Sequence, residues 1–269
     1  MKKQLLNLSF VAAALALYVT ATAAPIEPVR TMDIPAAQTI VLDGVQDEAY
    51  SDLQSTSYGY ESHLEGYEGE SDFKADFAVC ADDHFLYMIA FFQDDVNHSI
   101  PEGASGNEWT FDNFEVFLQL DTNTVTTTYN ATACQLRINR GVDTVTGVGN
   151  GASSEFILYI EHDAAGGWLA EVAIPWTAAL GSDAILPDDI MDYVGVPVGF
   201  DFAGADSDNT DGDETVGNRD YQTFWDLDGE ERTGQEDLAW NNTATFGYVT
   251  LLDLPAGPVS LETVAESNL

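Results

Sequence analysis

From Phe114 to Leu120 the chain alternates: Phe114, Val116, Leu118 and Leu120 fall on one side, and Glu115, Phe117 and Gln119 on the other. A period of two over seven residues belongs to a strand with one face on a core. Nine other short stretches, 39–43, 71–80, 85–92, 133–139, 155–161, 168–174, 199–203, 222–225 and 245–251, are likewise rich in aromatic and β-branched residues. Gly, Asp and Asn clusters separate them, and Ala81-Asp82-Asp83-His84 reads as a hairpin turn. Only 176–180 and 188–193 look able to form helical turns. Many short strands with almost no helix predict an all-β fold, a two-sheet antiparallel β-sandwich. Segment 85–92 is apolar almost throughout and is expected to lie centrally with both faces covered.

The first residues speak to compartment. Lys2 and Lys3 precede an apolar run from Phe10 to Val19, and Ala21-Thr22-Ala23 fits a small-x-small cleavage site. Residues 1–23 are therefore expected to be a signal peptide, 24–253 one domain and 254–269 a C-terminal tail. A mature chain of about 246 residues suits one large sandwich. It would be secreted, periplasmic or on the cell surface, without membrane insertion, because no later run approaches the ~20 apolar residues of a spanning helix.

Without the leader, 6 basic residues face 46 acidic ones, a net charge near −40. Such a surface repels nucleic acid and anionic membranes. It fits a saline habitat, or carboxylates that bind calcium, or both. Cys80 and Cys134 could form a disulfide in an exported protein. Alternation argues against it, since Cys134 shares a face with Leu136 and Ile138 whereas Cys80 shares parity with Lys74 and Asp76.

In 133–139, Gln135, Arg137 and Asn139 oppose the apolar set Cys134, Leu136 and Ile138. If both apolar sets line one core, Glu115 and Arg137 share the outer surface, either as a binding platform or as a solvated face.

Eight blocks along the chain resemble the family 9 carbohydrate-binding modules: IVLDGVQDEAY (40–50), with Tyr50 where Trp is usual, HFLYMIAFFQDD (84–95), the stretch from Trp109 to Phe117, CQLRIN (134–139), GGWLAEVAIPW (166–176), GFDFAGADSD (199–208), NRDYQTFW (218–225) and LAWNNTATFGYVTL (238–251). The resemblance implies a calcium-containing sandwich in which two loop tryptophans clamp a terminal sugar. The matching positions are Trp109 and Trp240, with Glu115 and Arg137 as hydrogen-bonding partners at the sugar's rim and Asp237 where an amide can reach it. Ala203 and Ala205 stand where a characterised member offers Gln and Asn, so two rim hydrogen bonds would be missing or replaced.

The loop DSDNTDGDE (206–214) packs five carboxylates into nine residues, and hard cations take six to eight oxygens. Asp206, Asp208, Asp211 and Asp213 are the candidate calcium ligands, with Asp43 and Asp47 of the opening motif as others; Gly212 is at the wrong offset for an EF-hand. The histidines (His63, His84, His98, His162) are scattered, no Ser-His-Asp order, H-E-x-x-H or phosphate-loop motif appears, and among 46 acidic residues nothing singles out a carboxylate pair for glycoside hydrolysis. The expectation is a non-catalytic, free-standing protein that binds neutral polysaccharide or oligosaccharide at chain ends, with structural calcium. The alternative is an extracellular structural protein that self-associates through the same sandwich; a haem-binding relative would need a ligand such as Met88, with no C-x-x-C-H present.

Overall fold

In a computed structural model, residues 30–56, 58–60, 71–101, 107–120, 129, 132–141, 145–149, 158–176, 190–208, 217–226, 238–255 and 261–263 are described. The strands are β1 Thr31–Ile34, β2 Ile40–Leu42, β3 Gln54–Ser55, β4 Tyr58–Tyr60, β5 Phe73–Ala81, β6 Phe85–Asp94, β7 Asn113–Gln119, β8 Ala133–Asn139, β9 Val145–Gly149, β10 Leu158–Ala164, β11 Gly167–Pro175, β12 Pro197–Asp206, β13 Tyr221–Phe224, β14 Gly247–Leu251 and β15 Leu261–Thr263. One sheet runs β1-β14-β12-β7-β8-β9, with β13 and β4 added along the far half of β12; the other runs β10-β11-β6-β5-β3. They form the expected sandwich. The tail segment returns one strand, β15, which pairs parallel with β2.

Alternation explains the packing. Phe114, Val116, Leu118, Leu136, Ile138, Phe200 and Phe202 of the first sheet meet Phe73, Phe77, Met88, Phe92, Trp168 and Val172 of the second in one core. Phe77 stacks on Phe202 at 4.5 Å, and Phe92 on Trp168 at 3.9 Å between ring centroids. β6 lies between β5 and β11 and is covered on both faces, as its continuous apolar run requires. The Asp82 carboxylate closes the β5–β6 hairpin by accepting from the His84 and Phe85 amides, both at 2.7 Å. Cys80 and Cys134 are both buried and free, the first in the cluster behind the second sheet and the second in the central core, so the two thiols face different layers.

The opening motif covers the back of the second sheet: Ile40, Leu42, Ala49 and Tyr50 pack on Ala78, Tyr87, Ile89, Leu169 and Ala173. Glu171 anchors this cover, fully buried, its Oε2 accepting the Gly44 amide at 2.5 Å in a turn where Gly44 has φ 82. Burial pushes its carboxyl up to about 7, against the lowering effect of the Gly44 amide. The unfolded chain gives up this proton near pH 4.5, so between those values the folded state holds a proton that the unfolded state lacks. Stability therefore falls as pH rises through that window. Glu171→Gln keeps an acceptor for Gly44 and is expected to flatten the decline of melting temperature between pH 5 and 8. A slope equal to that of the wild type would refute this role.

Candidate functional site

The register of four strands builds the outer face of the first sheet. One transverse row reads Arg137, Glu115, Ala203, Phe224; the next reads Asn139, Asn113, Ala205, Gln222. Directly paired residues share a face, and the intervening positions Phe114, Val116, Leu136, Ile138 and Phe202 fill the core, so both rows lie outside it.

A chain of hydrogen bonds crosses these rows. Arg137 Nε donates to Glu115 Oε1 at 2.6 Å, Gln222 Nε2 to Glu115 Oε2 at 2.9 Å, and Arg219 Nη1 to Gln222 Oε1 at 2.6 Å. Arg219 then lies over the Trp109 ring, its Cζ 4.9 Å from the centroid. Glu115 and Arg137 are thus brought together as expected. Glu115 is buried with both oxygens engaged inside the protein, while Arg137 keeps 14% of its side chain exposed. Glu115 therefore orients Arg137, the more accessible of the pair. Opposite Ala205, where an amide on β12 would have been expected, the neighbouring strand supplies the amide of Gln222.

Trp109 sits in a 3-10 turn, Glu108–Thr110, entered through Asn107 at φ 65. Asn139 Nδ2 donates to the Glu108 carbonyl at 2.6 Å, and Asn113 Nδ2 to the Phe111 carbonyl at 2.6 Å, fixing the turn to the second row. The segment from Gly217 lies against it: a Cβ at Gly217 would stand 2.2 Å from Thr110 Oγ1 and 2.7 Å from its carbonyl, so only glycine permits the approach that sets Arg219 over Trp109. Trp240 is 47% exposed in the turn after Leu238. Its neighbour Ala239 is buried against Phe117, Ala203, Phe224 and Phe246, and accepts a hydrogen bond from Tyr129 Oη. The two tryptophan-bearing turns are therefore fastened to adjoining rows of one face. Trp168, Trp176 and Trp225 are buried. Asp237 lies outside the described residues.

Beside the Trp109 turn is a carboxylate cluster. Asp206 and Asp208 belong to it, as expected, while Asp211 and Asp213 lie outside the described residues. Its other members are Asp72, Asp94 and Asp112, from strand ends far apart in sequence. The ligand atoms of Asp72, Asp206 and Asp208 lie within 4.8 Å of one another, as do those of Asp94, Asp112 and Asp206. Asp112 accepts from the His98 amide at 2.7 Å and the Ser207 amide at 3.0 Å; Asp94 accepts from Val96 and from Arg140 Nη1 at 3.2 Å. Among the described residues both Asp206 oxygens are buried without a hydrogen-bond partner, and so is Asp208 Oδ1. Burial and neighbouring carboxylates push Asp206 up to about 10 and Asp208 to about 7; burial, opposed by Arg140, brings Asp94 to about 6. Bare oxygen donors in a buried, anionic setting fit a hard cation such as calcium.

Asp43 and Asp47 are placed elsewhere, in the opening turn, where they accept the Val45 amide at 3.0 Å and the Val41 amide at 2.8 Å. Among the described residues neither joins a group of three ligand atoms. Asp82, Asp83 and His84 do form such a group, but the Asp82 oxygens are engaged by the hairpin amides and by Tyr87 Oη at 2.8 Å.

The cluster and the Trp109 site share backbone. Ser207 Oγ donates to the Asn218 carbonyl at 3.1 Å, the Asp220 amide donates to the Asp206 carbonyl at 2.9 Å, and the Asp208 amide to Asp220 Oδ2 at 2.8 Å. The segment that carries Arg219 thus hangs from Asp206–Asp208. Sequence reasoning did not single out Arg219, Gln222, Asp72, Asp94 or Asp112, although all except Asp72 lie within the family-like blocks.

Among the described residues no helix is long and apolar enough to cross a membrane. No curated protein matches the chain. In fold it is similar to a carbohydrate binding module family 9 from Caldicellulosiruptor kristjanssonii, solved in complex with cellotriose, at 18% identity and TM-score 0.59, covering 85% of this chain and 100% of that one. A structure of a module of the same family and organism with glucose gives 18% identity and TM-score 0.58, covering 85% and 99%. The carbohydrate family 9 binding domain-like family matches residues 42–254, and the chain belongs to that family.

Proposed function

We propose that the chain is an exported, non-catalytic carbohydrate-binding protein that takes the end of a neutral saccharide between Trp109 and Trp240, with calcium bracing the loops beneath. The carrying observation is the pair of partly exposed tryptophans fastened to adjoining rows of one sheet face, over the hydrogen-bonded line Arg219–Gln222–Glu115–Arg137. An indole covers the apolar C–H face of a pyranose, and the partly exposed Arg137 supplies charged donors for hydroxyls at its edge. The cellotriose and glucose complexes of the similar modules support a glucose-type ligand. Binding of this kind needs surface and hydrogen bonds, with no nucleophile or acid–base pair.

Calcium held by Asp72, Asp94, Asp112, Asp206 and Asp208 would supply charge neutralisation. The chain's own part is to carry that rigidity, through Ser207 and Asp220, to the segment that places Arg219 on Trp109.

Calorimetric titration with glucose, cellobiose and cellotriose in calcium tests the reading. Cellotriose and cellobiose are expected to bind at similar affinity, because a clamp on the terminal unit gains little from distant ones, and capacity on insoluble glucan should rise as partial hydrolysis creates ends. No binding of any neutral oligosaccharide at millimolar concentration would sink the proposal.

A further inference from the structure

Trp109 and Trp240 are held by different means. Arg219 lies over the first ring, whereas the backbone beside the second is gripped from 110 residues away, where Tyr129 Oη donates to the Ala239 carbonyl at 2.5 Å. That oxygen belongs to the peptide unit joining Ala239 to Trp240. The unit is planar, so fixing its oxygen also fixes the direction in which the Trp240 amide and Cα leave it.

Other contacts of this turn do not supply that direction. The Leu238 carbonyl accepts the Asn241 amide at 3.0 Å and the Asn242 amide at 2.8 Å, and Thr245 Oγ1 donates to the Asn242 carbonyl at 2.8 Å. These bonds join near neighbours and shape the turn without orienting it on the sheet. The Ala239 methyl packs with Phe117, Ala203, Phe224 and Phe246, but apolar burial is non-directional. Tyr129 has a fixed base of its own: its ring packs on the same cluster, edge-to-face with Phe246 at 6.3 Å between centroids. Burial pushes its phenol well above the ordinary value of 10, so the hydroxyl remains a donor wherever the protein is folded. We infer that Tyr129 is a positioning residue of the saccharide clamp, whose hydroxyl, acting through the Ala239 carbonyl, sets the Trp240 ring against Trp109.

The inference rests on the clamp reading, and one arm of its test needs no saccharide. Tyr129→Phe keeps the ring and removes the donor. A net hydrogen bond multiplies the population it favours by roughly three to ten, and apparent affinity follows the fraction of binding-competent protein. Titration with cellotriose is therefore expected to show affinity lowered about three- to tenfold, with the circular dichroism spectrum unchanged. In Trp240→Ala the same change should cost nothing more, because the ring through which it acts is gone. Without saccharide, nanosecond fluorescence anisotropy of the full chain, taken as the difference between each protein and its Trp240→Ala counterpart, should show the Trp240 ring moving more widely in Tyr129→Phe than in the wild type. Affinity within about twofold of the wild type, or equal anisotropy, would overturn the positioning role and leave the clamp standing. A loss that persists undiminished in Trp240→Ala would place the effect of Tyr129 outside Trp240 and overturn the role equally. If Trp240→Ala binds too weakly to titrate, anisotropy decides. If the wild type binds no saccharide, the clamp reading falls and takes the positioning role with it, whatever the anisotropy shows of the ring.

Discussion

Removing divalent cations at pH 8 is expected to lower the melting temperature by roughly 5–10 °C, and acidifying the stripped protein to restore part of the loss. An ion bound only by the folded state stabilises it by about 2.7 kcal/mol at a hundredfold excess over Kd. For a domain of this size each kcal/mol moves the midpoint by about 2–4 °C. Without the ion, Asp94, Asp206 and Asp208 are raised to about 6, about 10 and about 7, far above the ordinary carboxyl near 3.8, chiefly by burial. Below each of those values the folded state holds a proton that the unfolded chain has released. Stability in chelator therefore rises as pH falls from 8 toward 5. In calcium the trend should weaken or reverse, since protons then compete with the metal. Melting curves across pH, with and without chelator at equal ionic strength and with metal content measured, decide the point. Superimposable curves at pH 8 from verified metal-free and loaded protein would exclude a structural cation here.

The same buried carboxylates show what sequence could and could not reveal. β7 and β8 were legible because strict alternation has one physical cause, a sheet with one face in a core, and that alternation also placed Glu115 beside Arg137. β12 was expected over 199–203 but runs Pro197–Asp206. Its second half is built of Gly204, the small residues Ala203 and Ala205, and Asp206, which carry no apolar signal. Gly204 is needed there because a Cβ would stand 2.9 Å from that of Ala75 and 3.0 Å from the Phe73 ring. β1, β3, β4, β9 and β15 were not foreseen: each is five residues or fewer, and none carries an apolar pattern long enough to count.

The sites divide the same way. Asp206 and Asp208 stood out as an acidic loop, whereas Asp72, Asp94 and Asp112 meet them only because three strand ends converge. Gln222 reaches Glu115 across β12, a relation with no trace in linear spacing. The scarcity of positive charge was a usable signal. Only six basic residues follow the leader, and three of them, Arg137, Arg140 and Arg219, lie at the two candidate sites. In a chain near −40, a buried arginine marks a place where an anion or an aromatic face must be held.

Trp240→Ala is expected to weaken saccharide binding about thirtyfold or more, and Trp109→Ala by a similar factor, with the double variant little worse than either. Truncating an aromatic anchor typically costs 2 kcal/mol or more, and tenfold in affinity is about 1.4 kcal/mol. Coupling follows from the clamp, because each ring holds the sugar against the other and a lone ring retains little. The stability effects should differ in a graded way. Trp240 is 47% exposed, so its loss should shift stability by no more than about 0.5 kcal/mol. Trp109 lies under Arg219, and its loss should cost roughly 0.5–1 kcal/mol more, the worth of an exposed cation–π pair. Trp225, fully buried between Phe77 and Phe200, should cost about 3–5 kcal/mol when truncated, with saccharide affinity unchanged in whatever fraction remains folded. Calorimetry on the three variants, with denaturant curves beside it, separates these outcomes. If Trp109→Ala and Trp240→Ala each unfold the domain, or if both bind cellotriose as the wild type does, the rings are packing residues and the sugar sits elsewhere. If their losses simply add, each ring binds a different unit of the chain, and the two turns form an extended platform in place of a clamp.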